Sequence, residues 1–401
     1  MNHASLRAHL TPVAALLIAA CLAPSALAFD SGDALEHQFI VRLAPNQNIE
    51  DVAATYGAIV LASYEPRGLY LLGTDPNVPD ADQDSEFDFD DRIEGDEQNA
   101  ANCIAEGHTQ SFFVRIAEQT VGKQPVATFV ALPYAHRLST GAGVIVAVLD
   151  TGAAPHAYLA GSIATGGYNF LDNNSNVNDT GTGVMSGHGT FVSGLIHMVA
   201  PEAKILPIRV MDSTGMGTAF TIAEGVYHAI DHGARVINIS MSSPKNSIIV
   251  ADAIAEAQSM GIIVVASVDN RDSDDKVYPA ANAGVIAVAS TDMADVKSAF
   301  SGFGSYVDLC APGEDLVSIL PNNQFAVASG TSFSAALVSG TSALVTARFD
   351  SQGFSTINTQ LLESALDLTP TNGERAEDLG FGRVRPWQAL QHLRPPLKRT
   401  H

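Results

Sequence analysis

Three short stretches of this chain combine residue types that could do covalent chemistry. Asp150-Thr151-Gly152 follows the apolar run Val144-Ile145-Val146-Ala147-Val148-Leu149, so a strand would deliver a carboxylate to its carboxyl end where a turn begins. In Gly187-His188-Gly189-Thr190-Phe191-Val192-Ser193-Gly194 an imidazole stands between glycines ahead of an apolar helix, and small neighbours let other backbone approach the ring. Ser329-Gly330-Thr331-Ser332-Phe333-Ser334-Ala335-Ala336 runs into Leu337–Ala347 and sets Ser332 at a helix N-terminus. There the helix dipole and the first amides favour developing negative charge. Each stretch also has a plain structural reading: a loop carboxylate, a packed histidine, hydroxyls that cap a helix. Asp150-Thr151-Gly152 could instead be half of an aspartic-protease site, which needs a second equivalent Asp. Asp179-Thr180-Gly181 follows the polar run Asn173 to Asn178 rather than a strand, and only 29 residues separate the two motifs, too few for a second lobe.

These residues need elements to hold them. From Gly143 onward short β-branched runs alternate with helical patterns. Strands are expected at Val144–Leu149, Ile205–Val210, Val236–Ile239, Ile262–Ala266 and Val285–Ala289, with helices at Phe220–His232 and Ile248–Met260. Continuous apolar strands separated by helices imply a parallel sheet buried on both faces. The fold class is therefore α/β, a doubly wound parallel sheet with its ligand site at the carboxyl ends of the strands. Ahead of it, residues 37–73 read as a small α/β unit: strand Gln38–Leu43, helix Ile49–Tyr56, strands Ile59–Tyr64 and Leu69–Leu72.

The chain order Asp150, His188, Ser332 differs from the His, Asp, Ser and Ser, acid, His orders of two other hydrolase architectures, and no Gly-x-Ser-x-Gly elbow occurs. On these three motifs the chain resembles the subtilisin-like serine proteases, or subtilases. The resemblance covers about Ala135 to Leu390, including Ala311-Pro312-Gly313 and Leu379-Gly380-Phe381-Gly382-Arg383-Val384. It implies that Ser332 attacks the scissile carbonyl, His188 moves the proton, Asp150 orients the imidazole, and Asn270 joins the backbone N–H of Ser332 in an oxyanion hole. It further implies a substrate cleft along Ser240, Met241, Ser242, Ala266, Ser267, Val268 and Asp269. The family usually has Gly where Asp269 stands, Ser-Leu-Gly where Ser240-Met241-Ser242 stands, and Pro at Ala336. Asp269 is thus expected to set a carboxylate beside the first side-chain pocket and to favour basic residues there. The altered cleft motivates a rival of another class, an inactive subtilase-fold binding module. The small unit at 29–74 resembles the family's propeptide, an intramolecular chaperone and inhibitor, and implies self-cleavage between about Asp75 and Val130.

The remaining features bound location and partners. Residues 1–28 read as a signal peptide, with Arg7 in the n-region, an apolar Val13–Leu22 and a small-residue cleavage site at Ala26-Leu27-Ala28. Export to the periplasm or medium follows; the alternative is a lipid anchor through Cys21 in Ile18-Ala19-Ala20-Cys21. From Asp75 to Glu97 stand 11 acidic residues and one Arg, read as a solvated linker within an acidic and ambiguous segment at 75–130. The catalytic domain is assigned to 131–392 and a tail to 393–401. A formal net charge of −22 argues against nucleic-acid partners, and residues 1–130 alone hold 6 basic and 19 acidic residues. Protein or peptide substrates and the chain's own propeptide are the expected partners. No cofactor is implied for catalysis. Structural calcium is an option on the oxygen-rich loop Asp172, Asn173, Asn174, Asn178 and Asp179, whereas His228 and His232, four apart on a helix, show no third metal ligand. Cys310, in an apolar context, reads as a buried thiol.

Overall fold

The computed structural model describes residues 34–74, 93–103, 114–116 and 121–391. The expected signal segment with Cys21, the acidic run at 75–92 and the expected tail at 393–401 lie outside the described residues. The chain divides into two compact units, 1–101 and 102–401. Among the described residues no helix is long and apolar enough to cross a membrane.

In the first unit the expected strand–helix–strand–strand order is present: Ala34–Leu43, Ile49–Thr55, Ile59–Tyr64 and Leu69–Gly73. Asn48 caps the helix by accepting from the backbone N–H groups of Glu50 and Asp51. Ala34–Leu43 pairs antiparallel with Leu69–Gly73 on one side and with Ile93–Cys103 on the other. That last strand corrects the linker reading over 93–97. It carries Glu94, Asp96 and Glu97 and shows no apolar alternation, yet it pairs through backbone amides, which need none.

The second unit is built on seven parallel strands. Across the sheet they run Leu309–Pro312, Ile286–Thr291, Ile263–Ser267, Val236–Ile239, Ile145–Asp150, Lys204–Arg209 and Tyr168–Asn169. All five predicted strands are present, four with boundaries shifted by a residue or two, and the doubly wound parallel class stands. The strand order reverses between Ile145–Asp150 and Val236–Ile239, so a crevice opens there at the carboxyl ends. Helices Ala219–Asp231 and Ile248–Ser259 match the predicted ones closely.

Two helices fill the core. His188–Val199 is buried along nearly its whole length, as is Thr331–Phe349. Their small side chains suit the interior, and buried hydroxyls of Ser339, Thr341 and Ser342 are satisfied by hydrogen bonds. Phe191 and Phe333, at 4.6 Å between ring centroids, lock their first turns together. A hairpin of Leu316–Leu320 and Gln324–Ala328 leads into Ser332, and Val114–Ile116 pairs antiparallel with its second strand.

Candidate active site

Asp150 is the last residue of its strand and is completely buried. His188 is the first residue of its helix and equally buried, and its Nδ1 lies 2.8 and 3.0 Å from the two carboxylate oxygens of Asp150. The flanking glycines are explained by this approach. Gly187 caps the helix at φ +96°, a left-handed conformation that costs glycine little. A Cβ on Gly189 would fall 2.1 Å from the Gly152 carbonyl and 3.0 Å from the Asp150 side chain. Thr151 ties the same corner: its N–H donates to Asp150 Oδ1 at 2.7 Å, and its hydroxyl accepts from Gly189 N at 3.0 Å.

Asp179 holds the helix from the other side. Its carboxylate is fully buried and accepts from Gly187 N, Thr190 N and the Thr190 hydroxyl at 2.9–3.0 Å. Burial pushes its carboxyl above the usual carboxylate range, with the three hydrogen bonds and the nearby Asp150 acting as smaller influences. Sequence reasoning weighed this residue as a failed second protease motif and as an oxygen ligand in a calcium loop, not as a support for the His188 helix.

Ser332 is the second residue of the Thr331–Phe349 helix, and its hydroxyl lies 3.4 Å from the Ser240 carbonyl. The His188 ring stands 5.6 Å from that of Phe333, the next residue. A chain of hydrogen bonds stiffens the serine's seat: Asn238 donates to Ser240 Oγ, and Asn238 Oδ1 accepts from Ser339 on the serine helix, both at 2.8 Å. Asn270 accepts from Thr331 N at 3.0 Å through Oδ1. Its Nδ2 is buried and has no hydrogen-bond partner among the described residues. A buried amide donor beside the first turn of the serine helix suits a transient oxyanion rather than a resident acceptor.

The predicted cleft residues flank this point. Met241, Ala266 and Val268 are fully buried, and Ser267 and Ser242 nearly so. The Val268 carbonyl accepts from the Thr331 hydroxyl. Asp269 is 1% exposed, and its carboxylate meets the Arg271 guanidinium at 2.5 Å. A paired charge is a weak lure for a second cation, so the expected bias toward basic residues has no bare carboxylate behind it. Cys310 is buried, as expected, and its thiol is pushed up by that burial.

Cation sites fare poorly. Among the described residues no three His, Cys, Asp or Glu gather as a metal site. In the oxygen-rich loop Asp172 accepts from Asn169, Asn174 and Asn176 cap their own turns, and Asp179 serves the helix, so the loop's oxygens do not fit a calcium shell. His228 and His232 stack at 3.8 Å and bond the carbonyls of Gly166 and His228.

A carboxylate-bound imidazole and a helix-borne serine at the reversal point of a parallel sheet belong to the class of subtilisin-like serine endopeptidases. The chain belongs to the Subtilase family, whose profile matches residues 141–383. It is 35% identical over 272 residues to thermitase of Thermoactinomyces vulgaris, covering 65% of this chain and 93% of that one. It is also 35% identical over 253 residues to subtilisin Savinase of Lederbergia lenta, covering 61% and 91%. Among solved structures, fervidolysin from Fervidobacterium pennivorans, a keratinolytic enzyme related to subtilisin, matches with a TM-score of 0.74 at 22% identity, over 92% of this chain and 63% of that one. At that identity it speaks to the fold alone.

Proposed function

We propose that the chain is a secreted, self-processing serine endopeptidase that works through an acyl-enzyme formed on Ser332. Ser332 Oγ attacks the scissile carbonyl while His188 takes its proton. The tetrahedral oxyanion is met by Asn270 Nδ2 and the Ser332 N–H. The C–N bond breaks as His188 returns the proton to the leaving amine, and water then hydrolyses the ester by the same route. Asp150 fixes the imidazole tautomer and stabilises its cation. The observation that carries this reading is the buried His188–Asp150 contact at 2.8 Å on the wall that also holds Ser332. The 1–28 segment supports export, with Cys21 as the alternative anchor, and the small N-terminal sheet supports a propeptide role for the first unit. The substrates are proteins or peptides.

A serine-directed fluorophosphonate tests the assignment. The wild-type chain is expected to be labelled and Ser332→Ala not. Absence of labelling in the wild type would favour the binding module, and activity surviving in Ser332→Ala would favour an aspartic mechanism.

A further inference from the structure

Val114–Ile116 is three residues long and stands apart from the parallel sheet, yet it has a defined seat. Val114, Arg115 and Ile116 lie opposite Val327, Ala326 and Phe325 on the strand that leads into Ser332. The other edge of that strand is filled by Leu316–Leu320, so the short segment covers the one edge left open for a further strand. Polarity is the informative part. The pairing is antiparallel, so following the segment toward its N-terminus means moving along the partner strand toward Ser332. Val327 stands five residues before Ser332, about 17 Å at ~3.4 Å per extended residue. In an acyl-transfer site the half of the substrate N-terminal to the scissile bond becomes the acyl group, and the C-terminal half leaves with the proton from the histidine. A segment whose N-terminal direction points at the serine therefore has the polarity of a leaving half.

Its flank agrees. Arg115 lines a groove of about 730 Å³ together with Gly183, Val184 and Ser186, the residues that lead into Gly187 and His188. The groove's lining thus ends at Ser186, two residues before the group that must protonate the leaving amine. Its other charged lining residue, Asp179, is committed to the His188 helix.

We propose that Val114–Ile116 is the leaving half of the chain's own first substrate, held by strand addition to Gln324–Ala328, and that self-cleavage falls N-terminal to Val114. This rests on the serine-endopeptidase reading. In the step a peptide C–N bond between Cys103 and Val114 breaks, the Ser332 hydroxyl proton passes through His188 to the departing nitrogen, and water later releases the acyl half. The same strand edge would then receive the leaving side of protein substrates.

The full-length chain, purified and incubated, gives the test through the N-terminus of its product. A product that retains Val114–Ile116 and has lost Ile93–Cys103 is expected, with Ser332→Ala remaining intact. A new N-terminus beyond Ile116, or an intact wild-type chain that is nevertheless labelled by fluorophosphonate, overturns the inference and leaves the enzyme reading standing; a chain neither labelled nor cut fails both. Arg115→Pro with Ile116→Pro removes the ladder N–H whichever of the two alternate residues carries it. That pair is expected to slow self-cleavage at least tenfold, while Arg115→Ala with Ile116→Ala stays within threefold of wild type. Equal rates for the proline pair and the wild type overturn strand addition.

Discussion

Asn270 offers the sharpest test of the site because its two amide atoms have different duties. Oδ1 accepts from Thr331 N at 3.0 Å, which fixes the amide, while the buried Nδ2 has no partner among the described residues. If Nδ2 is an oxyanion donor, removing it should cost about 2.7–4 kcal/mol of transition-state stabilisation, roughly 10²–10³ in kcat, with KM little changed. Asn270→Ala removes both atoms. It should show that kinetic loss together with about 1–3 kcal/mol of lost stability, because a buried Thr331 N–H is left without its acceptor. Asn270→Asp keeps an acceptor for Thr331, removes the donor and adds a buried negative charge, so it should lose at least as much kcat as the alanine variant while still satisfying Thr331 N. Steady-state hydrolysis of a chromogenic peptide, read beside denaturant unfolding, separates the two effects. Self-processing should slow by the same factor as kcat. An Asn270→Asp enzyme that keeps more than a tenth of wild-type kcat, or a loss confined to KM, would refute the oxyanion assignment.

Two further outcomes follow from buried carboxyl groups. Asp179→Ala strands two backbone N–H groups and a hydroxyl at the start of the His188 helix, and should lower both kcat, at least tenfold, and the unfolding midpoint; Asp179→Asn, which keeps one acceptor, should fall between it and the wild type, and a silent alanine variant would show that the helix start holds without it. Glu224, on helix Ala219–Asp231, is pushed by burial up to about 8 from an ordinary 4.5, so the folded state binds its proton more tightly than the unfolded chain does. Its contribution to stability is therefore intact below pH 4.5 and lost as pH rises to 8; Glu224→Gln should match the wild type near pH 4.5 and exceed it by roughly 3–5 kcal/mol at pH 9, whereas parallel stability–pH curves would contradict the shift.

What could be seen in the sequence depended on whether a residue's partner was nearby. The central strands were legible because a strand buried on both faces must be mostly apolar, and Val236–Ile239 or Ile263–Ser267 shows that with only Asn238 and Ser267 as polar exceptions. Tyr168–Asn169 was too short to show a pattern, and Leu309–Pro312 ends in a proline that an edge strand tolerates. The hairpin into Ser332 did carry a signal that was passed over, two short apolar runs around Pro321-Asn322-Asn323. Ile93–Cys103 carried none, because its place in the sheet rests on backbone pairing under polar side chains. The site divides the same way. Asp150, His188 and Ser332 announced themselves because each chemical group sits at the end of an element with its own local pattern. Ser339 did not, since its partner Asn238 is 101 residues away.

Asp179 is the instructive case. In the sequence Asp179-Thr180-Gly181 resembles Asp150-Thr151-Gly152, and local grammar could ask only whether it was a second copy of the same device or an oxygen ligand in a cation loop. In the fold one carboxylate faces an imidazole and the other faces two amides and a hydroxyl. Three donors make the second a fixed acceptor at the head of the helix that carries the imidazole, while the first accepts from Thr151 and turns both its oxygens toward a titratable ring. The chemistry of a buried carboxylate is set by the donors around it, and those are supplied by residues that only the fold brings together.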